Sequence, residues 1–459
     1  MAKSTSHQTH FTRQVQALLA KIYGRGRLND SVFERAVSYF TSQEYMGNGE
    51  RKNEERARLH ALEQAERTSH LLSICREIIE LTEGENFEET NRKSAQFLGT
   101  IQLISPTEGK KVAANNELCK SLYKAILSVR LLDKLLLSNG VSDKNIARII
   151  SEFPNTAYAD FDVTARRRFV EQVKIPLLMA SLLEDIGNNH PQVQAILLGP
   201  DKKQDPHRKL DAEQRKKLLQ LNYKHTLNYF NEGLGVASYT GNSKEAREQL
   251  IIDEQAKLTF IQHLLKSSIK PKQGLGNLLK VPQIYAYIIF STKDSYNYKV
   301  LPKVYQVLNK SAELGLCSQK IVDALYQITG MFPQGYGVIY MPEDDTGQQD
   351  DCYEYAIVNR LYPPDPEHPL CRIATRKLTF ISYGNNIEVK KKNNLYFPHM
   401  AKKVANLSKE RLNEILERLS SNYQERQKLD LLPRCWHTND FFSVKENQKL
   451  WNKKDSDLD

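Results

Sequence analysis

The sequence predicts a mainly α-helical protein with a small β-rich subdomain late in the chain and extra helices at both ends. Three observations carry this. Apolar residues recur at helical spacing over most of the first three-quarters of the chain. From 333 to 400 the pattern changes to short runs separated by Pro, Gly and Asp. Helical spacing then resumes, with Leu412, Ile415, Leu416 and Leu419 on one face. With 459 residues, about three domains is the prior. The changes of character give an N-terminal helical region 1–155, a helical domain 156–332, a β-rich subdomain 333–400 and a C-terminal helical tail 401–459.

The elements follow in order. Val15, Leu18, Leu19 and Ile22 form one helix face, and Leu71, Ile74, Cys75 and Ile78 repeat it after a polar link. "SLYKAILSVRLLDKLLLS" is a strongly apolar helix that Asn139-Gly140 stops. Ser142 is placed to cap the next helix, "DKNIARIISEF". "RRRFVEQVKIPLLMASLLED" and "DAEQRKKLLQLNYKHTLNYF" follow, the second with Asp211 as its cap. "NLLKVPQIYAYIIFSTKDSY" is apolar and aromatic and is expected to be a buried helix. Ile321, Ala324, Leu325 and Ile328 mark a last amphipathic helix before Gly330. "GYGVIYMP", "CYEYAIVNRLYPP", "LCRIATRKLTFIS" and "IEVKKK" then read as strands. In the second, Tyr353, Tyr355 and Ile357 alternate with Glu354, Ala356 and Val358, a half-buried pattern.

Composition bounds the function. Hydrophobic residues make up 40% of the chain, enough for real cores and against wholesale disorder. The net charge of +10 favours anionic partners: nucleic acid, nucleotides or an acidic protein face. Six cysteines without a C-x-x-C pair argue against a zinc knuckle and for a reducing, cytoplasmic setting. No apolar run approaches the ~18 residues a membrane span needs, and "MAKSTSHQTH" leads into no apolar signal core.

The chemistry-bearing stretch is "SLLEDIGNNHP". Glu184 and Asp185 end an apolar helix just before a Gly turn. Two such carboxylates are hard oxygen ligands for Mg, Mn or Fe, or else a solvated helix end. His190 reads as a replacement ligand or as a loop histidine at a helix start, and His225 as a ligand or a core histidine. Asp294, read as part of an apolar helix, would need a partner. Gly274-Leu275-Gly276-Asn277 lacks the Lys-Ser/Thr of a phosphate loop.

"SLLEDIGN" resembles the "LLHDIGK" signature of the HD-GYP branch of the HD-domain phosphohydrolases. "LDAEQRKKLLQLNYKH" resembles the helix that follows there, which ends in a metal-binding His, here His225. "PQIYAYIIFSTKDSYNYKVLP" looks like the "ARIxAVADxFDALTS" helix, whose first Asp binds metal, here Asp294. "DALYQITGMFPQGYGVIYMP" and "YAIVNRLYPPDPEHPLCRI" are similar to the β-rich extension. The likeness runs from about 165 to 385. It implies an HD-domain-like helical core holding two or three divalent metals, whose bound water attacks the phosphorus of a cyclic dinucleotide.

The chain departs from that pattern. Glu184 stands where the family has His, and Asn188 where it has the catalytic Lys. "HLLKSSIKPKQGLGNLLK" carries only His263, and no His occurs between His70 and His190. The resemblance then leaves Asp185, His225 and Asp294, with Glu184 as a substitute, to hold one divalent metal (Mn, Fe or Mg), and Asn188 and His190 beside a ligand. Three functions follow as expectations. One is a catalytically impaired regulatory module that binds a cyclic dinucleotide or a signalling protein. Another is an active metal-dependent phosphodiesterase with a rearranged site. The third is a nucleic-acid-associated helical adaptor, motivated by the charge and by the basic runs Arg166 to Arg168 and Lys390 to Lys392.

Overall fold

The computed structural model describes residues 7–24, 30–45, 54–105, 111–138, 140–154, 156–235, 241–271, 274–343, 353–377, 379–400, 417 and 434–451. The expected helix over Leu412 to Leu419 and the thiol of Cys352 lie outside these residues.

The chain is mainly helical, with a small antiparallel sheet after the helices. The helices are α1 (His10–Tyr23), α2 (Val32–Tyr45), α3 (Glu54–Thr82), α4 (Phe87–Ile104), α5 (Val112–Leu137), α6 (Lys144–Ser151), α7 (Val163–Phe169), α8 (Ile175–Leu183), α9 (Pro191–Leu198), α10 (Ala212–Asn228), α11 (Lys244–Ile269), α12 (Asn277–Ile289), α13 (Val304–Glu313), α14 (Gln319–Thr329) and α15 (Asn439–Phe442). No helix among the described residues is long and apolar enough to cross a membrane. One contiguous core runs from Val15 on α1 to Trp451.

α5 is the axis. It is buried almost continuously from Cys119 to Leu136, because its sequence offers no broad polar face. It stops where the Gly140 N–H donates to the Leu135 carbonyl at 2.6 Å. α8 lies against it. Pro176 in the first turn of α8 has no N–H to give, and the ladder before it widens into a π-turn, Val170–Lys174. The Gln172 carbonyl thereby released accepts the Asn145 side-chain amide at 2.9 Å.

Contacts along the α5–α8 seam fix its direction. Lys124 meets Glu184, Ser128 Oγ lies 3.3 Å from Ser181 Oγ, and Asp133 meets Lys174. The two helices are therefore antiparallel, joined by a polar stripe inside an otherwise apolar core.

The strands are β1 (Gly337–Tyr340), β2 (Glu354–Val358), β3 (Leu370–Ile373), β4 (Thr375–Arg376), β5 (Thr379–Phe380) and β6 (Asn386–Glu388). They form a sheet of order β1-β2-β3-β6 and a separate β4-β5 pair, antiparallel throughout. Val338 faces Ala356 across the first pair.

Three expectations need correcting. β2 is buried along its whole length, not on one face. Residues near 436 cover it: the Trp436 ring stacks on Tyr355 at 4.7 Å and its Nε1 donates to the Ala356 carbonyl. The cap of α6 is Asp143, whose carboxylate accepts two backbone N–H groups, in place of Ser142. α12 ends at Ile289, so Asp294 is neither helical nor buried but exposed in a following turn. "STKDS" is turn chemistry, since Ser, Thr and Asp compete with the helix for backbone hydrogen bonds.

Candidate functional site

α8 delivers Glu184 and Asp185 to the foot of α10, and a glycine sets the approach. A Cβ on Gly187 would lie 2.2 Å from the Asn222 carbonyl oxygen, so only glycine fits. Its N–H donates to Thr226 Oγ1 at 3.1 Å, and Asn222 Nδ2 donates to Asp185 Oδ1 at 3.2 Å. The turn is thus pinned to α10 by backbone and side chain.

A cation already stands between the acids. The Lys124 ammonium donates to Glu184 Oε1 and, at 3.2 Å, to Asp185 Oδ2. Its side chain is 1% exposed, that of Glu184 6% and that of Asp185 25%. The Tyr287 hydroxyl on α12 donates to the same Asp185 oxygen at 2.9 Å.

One ammonium cannot balance two carboxylates, and the acids divide accordingly. Burial pushes Glu184 up to about 7 against the pull of Lys124. Desolvation also acts upward on Asp185, but the Lys124 charge and the Tyr287 hydrogen bond outweigh it and hold Asp185 below its ordinary value. Burial would lower Lys124; the two carboxylates reverse that and raise it. The Lys124 ammonium therefore lies between Asp185, whose ionised form is favoured, and Glu184, whose protonated form burial favours.

This predicts a pH dependence. Between 4.5, the ordinary value, and about 7, the folded chain binds the Glu184 proton more tightly than the unfolded chain. Raising pH through this window therefore favours unfolding. At about 1.4 kcal/mol per pH unit, the loss is on the order of 3 kcal/mol. The Asp185 contribution has the opposite sense and is lost only in acid, as pH falls through its lowered pKa. In urea titrations, Glu184→Gln should flatten the decline between about pH 5 and pH 7.5. An unchanged slope would remove Glu184 as its source.

The histidines form a second group. The His190 and His225 rings stack with centroids 3.4 Å apart, and both pack edge-on to Phe40. His190 Nδ1 caps α9 by accepting the Gln192 N–H, and His225 Nε2 lies 3.3 Å from Gln192 Oε1. Burial, then the neighbouring His190, pushes His225 down to about 4, so it is neutral at physiological pH. The Asn188 carbonyl accepts from Gln194 Nε2, while its side-chain Oδ1 is buried without a hydrogen-bond partner among the described residues.

The metal implied by the resemblance does not fit this arrangement. The acid pair is engaged by Lys124, Asn222 and Tyr287; His225 is engaged by His190 and Gln192; Asp294 stands exposed beyond α12. Among the described residues no three His, Cys, Asp or Glu side chains are grouped to hold one ion.

Three of the six residues in the two basic runs have carboxylate partners. Arg168 pairs with Glu152 and Asp253, Lys391 with Glu367, and Lys392 with Glu343. Sequence reasoning missed Lys124, the residue that decides the character of the site. No family profile, curated protein or solved structure matches this chain.

Proposed function

We propose that this chain is a catalytically impaired, HD-GYP-like regulatory module, which binds a cyclic dinucleotide or a signalling protein without cleaving it. The observation supporting this reading is Lys124. A hydrolytic site of that family needs metal ions held by its His-Asp pair, and here the two positions carry acids with a buried ammonium on a covalent stem between them. A metal ion would have to displace it, which means moving a four-carbon side chain out of the α5–α8 seam or unpairing a buried charge.

The test has two parts. Protein purified without chelator should carry less than one equivalent of Mn, Fe or other transition metal. It should leave cyclic di-GMP intact when Mn or Fe is added, while cyclic di-GMP or a captured signalling protein binds saturably. Turnover that disappears in Asp185→Ala would overturn the reading and restore the phosphodiesterase.

A further inference from the structure

The other end of the α5–α8 seam holds a second buried charge cluster, and beside it lies a cavity of about 230 Å³. Glu83 Oε1 accepts from Arg130 Nη2 at 2.6 Å and from Lys174 Nζ at 2.5 Å. Asp133 forms ion pairs with Arg130 at 2.9 Å and Lys174 at 3.1 Å and accepts from the Tyr158 hydroxyl. Two acids and two cations sum to zero. Glu83, Asp133, Tyr158 and Lys174 line the cavity, and Arg130 stands behind the two acids.

Two features bring available positive groups to this cavity, whose lining also holds Glu83 and Asp133. An ammonium has three donors, and the two acids engage two of those on Lys174, a lining residue, so one is not taken by the acids. At the rim, Arg166 adds a guanidinium whose hydrogen bond goes to the Glu85 carbonyl, with no carboxylate partner among the described residues. Arg166, Val170 and Lys174 follow at four-residue spacing along one helical run and all line the cavity. Apart from Asn86 and Thr90, the rest of the lining is apolar: Phe169 is buried in the wall, while Phe87 and Leu137 are 51% and 45% exposed at the mouth. A fixed positive charge between apolar walls is complementary to an anion with an apolar body.

We propose that this cavity binds a small organic monoanion, an aryl or branched-chain carboxylate. Its carboxylate sits between Arg166 and Lys174, and its apolar body lies against Phe169, Phe87 and Leu137. The volume is below the roughly 300–1,000 Å³ of pockets that enclose drug-sized ligands, so a cyclic dinucleotide does not fit. The site is independent of the acid pair and of the regulatory reading built on it.

The experiment is calorimetric titration of the full chain with phenylacetate and isovalerate, against phenylacetamide as the neutral isostere and phenethylamine as the cation. The acids should bind saturably, with Kd of about a millimolar or tighter, and the amide and amine about tenfold more weakly or not at all. Arg166→Gln should weaken acid binding about tenfold or more and leave thermal unfolding unchanged, because Arg166 is exposed. Leu137→Gln, also at an exposed position, should weaken the acids as well. Equal affinity for acid and amide, acid binding that survives Arg166→Gln, or no saturable binding of either acid overturns the proposal.

Discussion

Replacing Lys124 by Met should destabilise the protein by about 3–5 kcal/mol, the usual cost of stranding one side of a buried ion pair. Met keeps the length and the apolar stem and removes only the ammonium. Glu184 then loses the donor to Oε1, and Asp185 keeps Asn222 and Tyr287. The loss should grow with pH, since without the cation both acids are driven to hold their protons in the folded state. Adding Glu184→Gln to Lys124→Met removes one stranded charge, so the double variant should lose clearly less than the sum of the two single ones. Urea unfolding of the four proteins at about pH 5 and about pH 8 measures this. A single-variant loss below about 1 kcal/mol, or strict additivity, would mean that the acids are stabilised by something other than Lys124.

The same residue shows where the sequence stops being legible. Val15, Leu18, Leu19 and Ile22 could be placed on one buried face because periodicity alone encodes a helix packed on one side. Gly330 marks the end of α14 for an equally local reason: its φ of 67° is one that glycine adopts freely. Lys124 has no such local signature. Its partners lie sixty residues on, and only the antiparallel packing of α5 on α8 brings them together. One signal was available. A run such as "SLYKAILSVRLLDKLLLS" is too apolar to have a solvent face, so each charge inside it must find a buried partner. Lys124, Arg130 and Asp133 do, while Lys134, the fourth charge of the run, is half-buried with its ammonium over the Tyr362 ring. Asp294 shows the reverse error. The aromatic pattern stops at Phe290, and the polar residues after it form a turn that leaves Asp294 exposed, although the apolar run before it suggests a buried helical position.

Arg130→Met should cost a similar about 3–5 kcal/mol, whereas Arg130→Lys should cost no more than about 1–2 kcal/mol. The difference follows from how the guanidinium is used. Arg130 is 1% exposed, and only its Nη2 reaches the acids, Glu83 at 2.6 Å and Asp133 at 2.9 Å. Its Nε and Nη1 are buried without a hydrogen-bond partner among the described residues. The planar fork that normally distinguishes arginine from lysine is therefore idle, and the charge alone matters. Met leaves Lys174 to balance both Glu83 and Asp133. Burial already acts to raise Asp133, and the Arg130 and Lys174 charges now hold it down. With Arg130 gone its pKa rises, so the loss should be larger at about pH 8 than at about pH 5. Adding Glu83→Gln to Arg130→Met restores a neutral Asp133–Lys174 pair and should recover part of the stability. If Arg130→Lys proves as damaging as Arg130→Met, the cluster depends on the shape of the guanidinium rather than its charge, and charge balance does not explain this half of the seam.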